Sequence, residues 1–291
     1  MRNLFPILTV VAAIFVIWYG AAVALNAPWA KDQAKRAGVE LTFSELVADT
    51  WSQKKPKLPA PHQVTAEIWK TTGEMVAKGR AFSKRSLIYH SWITLSATML
   101  GFVMGTGFGI LLAIGIVYNR VMDMSVMPWV IASQTIPILA IAPMIIVVLN
   151  AVGISGLLPK AMISMYLSFF PVVVGMVKGL RSPDQMQLDQ MRTWNATAGQ
   201  QFWRLRLPSS MPFLFASLKV AMAASLVGAI VGELPTGAVA GLGARLLAGS
   251  YYGQTIQIWS ALIMAAALAA CLVAMIGMIQ RMTLKRMGMA Q

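Results

Sequence analysis

Asp189-Gln190-Met191-Arg192-Thr193-Trp194-Asn195, followed after nine residues by Leu205-Arg206-Leu207-Pro208, is the stretch on which the fold turns. It is a polar run carrying Asp189, Arg192, Arg204 and Arg206, set between apolar stretches at residues 161–180 and 212–234. A hydrocarbon core of roughly 30 Å takes about twenty apolar residues in helical form. The connector between two such stretches must lie outside the hydrocarbon, and its side of the membrane fixes the side of every other loop. Composition agrees with a membrane chain: 57% of the 291 residues are hydrophobic and 12% charged, with a mean hydropathy of +0.67. A net charge of +14 would suggest nucleic acid in a water-soluble chain. Here the cations sit between apolar runs, where headgroups and loop orientation account for them, so no nucleic-acid partner is expected. One cysteine, Cys271, cannot form an intrachain disulfide, and two histidines with scattered acids make no metal-ligand cluster.

Taken outward from that run, the chain reads as about six membrane-spanning helices. Residues 1–26 form the first, apolar from Leu4 to Leu25. Ala22-Val23-Ala24 resembles a cleavage site, but the apolar stretch exceeds a usual signal core, so a retained span is expected. Residues 27–89 are polar, and 26–89 hold eleven Lys/Arg against six Asp/Glu. An amphipathic helix is expected near 29–51, with Leu41, Phe43, Leu46, Val47 and Trp51 as its apolar positions. Lys54-Lys55-Pro56-Lys57-Leu58-Pro59-Ala60-Pro61 ends it, because proline cannot continue a helix. Residues 63–77 read as a second amphipathic helix.

The second span, 91–118, has Gly101, Gly105 and Gly109 four residues apart, a bare face on which another helix can pack closely. The third, 126–150, is interrupted by Gln134-Thr135-Ile136-Pro137 and by Pro143. Proline inside a span frees carbonyls that neighbours or a water-lined cavity must satisfy. Gln134, Thr135, Pro137 and Pro143 are therefore the candidates for lining a pathway, with a plain kink as the competing reading. Residues 153–160 form a short loop, and 161–180 the fourth span. The fifth, 212–234, holds Lys219 about two turns in, where its side chain can snorkel to headgroups. It ends at Glu233, the only acid in any proposed span, which reads either as a pathway contact or as a hydrated residue at the mouth. A Gly-rich loop, 235–254, carries Gly237, Arg245 and Tyr251-Tyr252. The last span is 255–280, and residues 281–291 form a basic tail.

The quoted run resembles the loop by which permease subunits of ATP-driven, binding-protein-dependent importers meet their ATPase. That pattern is Glu-Ala-Ala, three residues, Gly, nine residues, Ile, one residue, Leu-Pro. Asp189 falls on the Glu, Asn195 on the Gly, Leu205 on the Ile, and Leu207-Pro208 on the final pair, without a gap. Gln190 and Met191 replace the two alanines. Asn195 in place of glycine keeps a left-handed turn accessible. Residues 96–115, 134–153, 170–181 and 206–243 are similar to the nitrate/sulfonate/taurine branch of these permeases, so that 90–280 is covered. The resemblance implies an all-α membrane protein with the type I ABC importer permease fold, a five-helix core at 90–280 and a coupling loop at 181–208; within the amphipathic segment 27–89 it covers only Leu58–Pro61, a Leu-Pro-x-Pro run that the family places in the periplasm. It implies a short coupling helix near 188–198 and ATPase contacts at Asp189, Met191, Arg192, Thr193, Trp194, Asn195, Ala196, Leu207 and Pro208. It also implies a second permease copy, two cytoplasmic ABC ATPases and a periplasmic binding protein. No Gly-x-x-x-x-Gly-Lys-Ser/Thr loop occurs, so ATP and Mg belong to the partner and the chain is no enzyme.

With both termini cytoplasmic, the short inner loops hold Arg120, Lys178 to Arg206 and Arg281 to Arg286, and the short outer ones only Lys160 and Arg245. That satisfies the positive-inside rule, which discounts a segment as long as 27–89. A secondary transporter or channel is the rival reading. Such proteins place ionisable groups in mid-span, and these spans are almost free of them. The branch handles nitrate, sulfonates, taurine and pyrimidine-like heterocycles. Without an arginine in any span for an anion, a neutral or zwitterionic solute is the leaning.

Overall fold

The computed structural model describes residues 4–235 and 240–289, and every regular element among them is a helix. Gly237 and the first three residues lie outside this range. Five helices among the described residues are long and apolar enough to cross a membrane: α1 (Leu4–Ala37), α5 (Leu87–Tyr118), α8 (Leu157–Leu180), α11 (Leu207–Gly232) with the turns before it, and α13 (Thr255–Arg286). A sixth crossing exists only if α6 (Arg120–Ser133) and α7 (Ile138–Ala151) count as one, and these are bent by 100°. The expected third span is thus a broken pair, not a kinked helix. Proline 137 lacks an N–H and holds the residue before it away from helical backbone, so α6 stops and α7 restarts on Pro137 as its cap. Each half has 14 residues, about 21 Å of helix, too short to cross alone.

The chain divides into two units. The first joins Met1–Ser91 to Ala244–Ala265 and contains α1, α2 (Phe43–Ser52), α3 (Pro61–Thr71) and α4 (Gly73–Ala77). The helix expected over 29–51 is in fact two. Helix α1 continues through Pro28 to Ala37 and ends at Gly38, whose φ of +70° lets its N–H and that of Val39 close on Lys35 and Ala34. Helix α2 starts afresh at Thr42, whose backbone N–H donates to Glu45 at 2.9 Å. The Thr42 hydroxyl, and after it that backbone hydrogen bond, hold the Glu45 carboxyl below its usual pKa. The helix expected over 63–77 also splits, between α3 and α4 at Thr72. Thr71 and Thr72 turn their hydroxyls back on the carbonyls of Glu67 and Ile68, a bond that competes with helix continuation.

The proline-rich strap 54–60 is tied to α1 by a side chain the sequence reading did not single out. Asn26 is fully buried; its Nδ2 donates to Leu58 at 2.8 Å and Thr50 at 3.2 Å, and its Oδ1 accepts from the N–H groups of Lys57 at 2.8 Å and Leu58 at 3.2 Å. Prolines cannot offer their own N–H, so the strap borrows an amide from α1. The Trp18 indole donates to the Pro59 carbonyl at 3.0 Å, and its ring lies tilted by 40° against Trp259, 5.0 Å between centroids.

The second unit, Trp92–Gly243 with Ala266–Gln291, is built on α8 and α11. They run antiparallel in one register, with Gly179 on Ser210, Gly175 on Ser217, Gly228 on Ser164 and Lys160 beside Glu233. A Cβ at Gly101, Gly105 or Gly109 would run into Ser164, Ser168 or Val172 of α8, so the expected glycine face of α5 is a helix seam. Lipid gives helices no hydrophobic reason to associate, and small residues supply the close contact that does. Hydroxyls line the same seam: Ser225 donates to the Thr98 carbonyl at 2.9 Å, and Ser164 to the Ser225 carbonyl at 2.7 Å.

Two further expectations change here. Residues 235–254 are not simply a loop, for they contain α12 (Leu242–Tyr251). Lys160 belongs to the first turn of α8, not to a loop before it. Because α11 starts at Leu207, Lys219 lies twelve residues into it, about 18 Å along the axis, facing Gly277 of α13.

Candidate functional site

The polar elbow between α8 and α11 is made of local signals. Asp184 caps α9 (Gln185–Thr193), its N–H donating to Gln187 Oε1 at 3.0 Å. Helix α9 stops where Asn195 takes a φ of +53°. The Asn195 N–H then reaches the Arg192 carbonyl at 2.8 Å, and the Ala196 N–H the Met191 carbonyl at 3.0 Å. This is the pairing of a helix closed by a left-handed residue, usually glycine. The short helix expected near 188–198 is therefore 185–193, and Asn195 lies beyond its end. Thr197 caps the one-turn α10 (Ala198–Gln201), a π-helical turn spans Phe202–Arg206, and α11 begins with Pro208 in its first turn.

At its base the elbow is bonded to the spans. Arg206 Nη1 donates to the Leu180 carbonyl at 2.9 Å, and its guanidinium lies 5.9 Å over the Tyr118 ring. Phe202 meets Tyr118 edge-on at 6.0 Å, and Arg181 pairs with Asp123 at 2.8 Å. The tip is uncovered. No residue of α9 is buried, and Met186, Trp194 and Trp203 are 80%, 67% and 67% exposed. Of the expected coupling residues, Asp189, Arg192, Thr193, Trp194 and Asn195 are exposed, and Met191, Ala196, Leu207 and Pro208 half-buried. Asp189 accepts from Gln185 at 3.1 Å and Arg192 at 3.0 Å, both across open helix surface. Three large apolar side chains on a polar, rigidly based projection form a surface suited to another protein.

The expected pathway residues do not form one cluster. Gln134, Thr135 and Pro137 lie together at the bend between α6 and α7, all exposed, and Pro143 is half-buried inside α7. The bend is level with the middle of α8, since the Tyr166 hydroxyl donates to the Ser133 carbonyl there.

Glu233 belongs elsewhere. It caps α11 at the end away from the elbow and is fully buried, so it is not a hydrated mouth residue. Its carboxylate accepts from the Thr94 hydroxyl at 3.0 Å and from the Gly243 N–H at 2.8 Å, and Lys160 Nζ stands 3.9 Å away. Thr94 in turn accepts from the Leu242 N–H at 2.9 Å, and Lys160 donates to the Ala240 carbonyl at 3.4 Å. Thr94 was not among the expected residues, and Lys160 was expected only as an outer-loop cation. The one available signal was a cation about one α8–α11 register step from the acid. Arg245, on α12, is half-buried; burial pulls its guanidinium below the ordinary pKa, and the Glu67 carboxylate opposes this.

Among known proteins, the family described as "Binding-protein-dependent transport system inner membrane component" matches residues 105–289. A probable ABC transporter permease protein of Haemophilus influenzae is 27% identical over 81% of this chain and 89% of its own length. The formylaminopyrimidine transport permease protein ThiX of Halalkalibacterium halodurans is 32% identical over 58% of this chain and 66% of its own. The putative aliphatic sulfonates transport permease protein SsuC of Bacillus subtilis is 24% identical over 78% and 77%.

Proposed function

Because this chain belongs to the family of binding-protein-dependent transport system inner membrane components, and is the permease subunit of an ABC importer crossing the bacterial inner membrane several times, we propose that its polar elbow, residues 181–208, receives a cytoplasmic ABC ATPase. The observation that carries this is the pairing of an exposed tip with a bonded base. Met186, Trp194 and Trp203 stand uncovered, whereas Arg206 and Arg181 fasten the same segment to α5, α6 and α8. A push on the tip therefore moves span ends rather than a slack loop. Two ATPases closing on ATP would drive two such elbows, and the spans would expose the pathway to one side and then the other. ATP and its Mg lie in those partners, and this chain's part is mechanical.

A second copy of the chain completes the pathway. Gln134 and Thr135 sit exposed at mid-depth beside a broken helix, and polar groups with freed backbone carbonyls cannot face lipid. A second permease and the water-lined passage between them meet that need. The elbow is cytoplasmic, so the Glu233 end faces the periplasm, where a binding protein delivers the solute. That solute is a small sulfonate, nitrate, a taurine-like molecule or a pyrimidine-like heterocycle, with neutral or zwitterionic members favoured because no described span buries an arginine to hold an anion. The test is co-expression with a candidate partner ATPase. Wild type co-purifies the ATPase and supports ATP-driven uptake in vesicles, and Trp194→Ala with Met186→Ala loses both. Uptake driven by an ion gradient without any ATPase would refute the reading. Thermal shift of the neighbouring binding protein against these solute classes identifies the substrate.

A further inference from the structure

One carboxylate joins four segments at the periplasmic end. Glu233 stands on α11, Thr94 on α5, Lys160 on α8, and residues 240–243 precede or open α12. The chain passes so close over the acid that a Cβ at Gly241, where φ is +129°, would overlap the carboxylate. Only glycine takes both that angle and that approach. With no exposed surface, Glu233 offers no atom to a solute in this arrangement.

The acid also shares a helix with the elbow. Helix α11 has 26 residues, about 39 Å from Leu207 beside the coupling surface to the residue before Glu233. Along it α11 is keyed to α8 at every step of the register, Gly179–Ser210 through Gly228–Ser164 to Lys160–Glu233. A helix packed in this manner shifts as a body, and packed contacts switch between discrete arrangements instead of stretching. Displacing α11 at the elbow must therefore either carry the whole far-end cluster with it or break it. The cluster is suited to breaking as a unit. The Thr94 hydroxyl, the Gly243 N–H and the Lys160 ammonium all converge on the same two oxygens, and a buried charge left with half its partners is costly.

We infer that Glu233 is a positioning residue, a latch that holds residues 240–243 across α5 and α8 and keeps the periplasmic end closed until a loaded binding protein and ATP together displace α11. This rests on the importer reading above. The latch sets when the cycle starts and touches neither solute nor nucleotide.

The experiment uses the whole permease–ATPase complex in lipid nanodiscs, with MgATP hydrolysis read with and without the cognate binding protein as purified. Glu233→Gln keeps an acceptor for the Gly243 N–H but loses the charge beside Lys160. Thr94→Val removes the hydroxyl at equal volume, and Gly107→Ala, where a Cβ meets open space, serves as control. Basal hydrolysis without binding protein should rise about tenfold in Glu233→Gln, as expected when one charge-assisted contact no longer biases a two-state equilibrium. A smaller rise is expected in Thr94→Val, and none in the control. Stimulation by the binding protein should shrink in the same order. The inference is overturned if both variants keep wild-type basal rates and full dependence on the binding protein. It is equally overturned if both merely shed their ATPase subunits, for then the carboxylate only supports the fold. Should Glu233→Gln alone fail to assemble, Thr94→Val decides. Failure of the wild-type complex to hold an ATPase would sink the importer reading instead, before any variant is made.

Discussion

Helix α11 ends in two polar regions built on opposite terms. At the elbow, charges lie open to water: Asp189 and Arg192 pair with 55% and 70% of their side chains exposed. At the far end, the Glu233 carboxylate has no exposed surface and the Lys160 side chain only 14%. Exposed pairs contribute little to stability because water competes for both partners, so the elbow's residues are free to serve a partner. Buried pairs are costly to form and costlier to halve, so the far-end residues serve the chain's own geometry. Polarity in a membrane protein is thus read through burial: the uncovered group waits for something, and the saturated one holds something.

Substitutions separate the two ends in graded fashion. Glu233→Ala takes the acceptor from the Gly243 N–H and the countercharge from the Lys160 ammonium, which keeps its bond to the Ala240 carbonyl, and should cost about 3–5 kcal/mol of stability. Thermal unfolding of the purified permease measures it, and a loss no larger than at the elbow would erase the contrast. Trp194→Ala should leave that unfolding curve in place while weakening ATPase binding about thirtyfold, the loss of a central aromatic anchor worth about 2 kcal/mol. Titration with labelled ATPase reads the affinity. Between the ends, Gly105→Leu drives a side chain into Ser168 and should destabilise by about 1–3 kcal/mol, whereas Gly107→Leu, facing open space, should not. Asn195→Ala places a Cβ-bearing residue without a compensating amide at φ +53°, costing roughly 1 kcal/mol at the α9 terminus, and Asn195→Gly should restore wild-type docking. The smallest effect belongs to Asp189→Asn, expected below about 0.5 kcal/mol in unfolding because its ion pair is solvated.

The elbow is legible in the sequence and the Glu233 latch is not, for a physical reason. The elbow is coded locally: Asp184 with Gln187, Asn195 after α9, and Thr197 with Gln200 are neighbours in the chain, so their spacing can be read directly. Glu233 could be noticed as a lone acid, but its partners Thr94 and Lys160 are 139 and 73 positions away, brought in only by the α5–α8–α11 packing. The same holds for Asn26, whose four hydrogen bonds to residues 50–58 no period or motif announces. The spans were legible as apolar runs. The 100° break at Pro137 was legible as an interruption but not as an angle, because a proline fixes where a helix stops and leaves the direction of the next one to packing. Helix ends were least legible, as Gly38 and Thr42 show by dividing what amphipathic spacing had joined.

For this chain to work as proposed, the elbow must face the cytoplasm and bear the ATPase. The most direct test is labelling of Trp194→Cys with a membrane-impermeant maleimide, with Cys271 replaced by alanine to remove the native thiol. The thiol should stay unlabelled in intact cells, react in inverted vesicles stripped of ATPase, and be protected when the ATPase is added back. Labelling from the periplasmic side, or labelling in inverted vesicles that the ATPase does not diminish, would contradict this proposal.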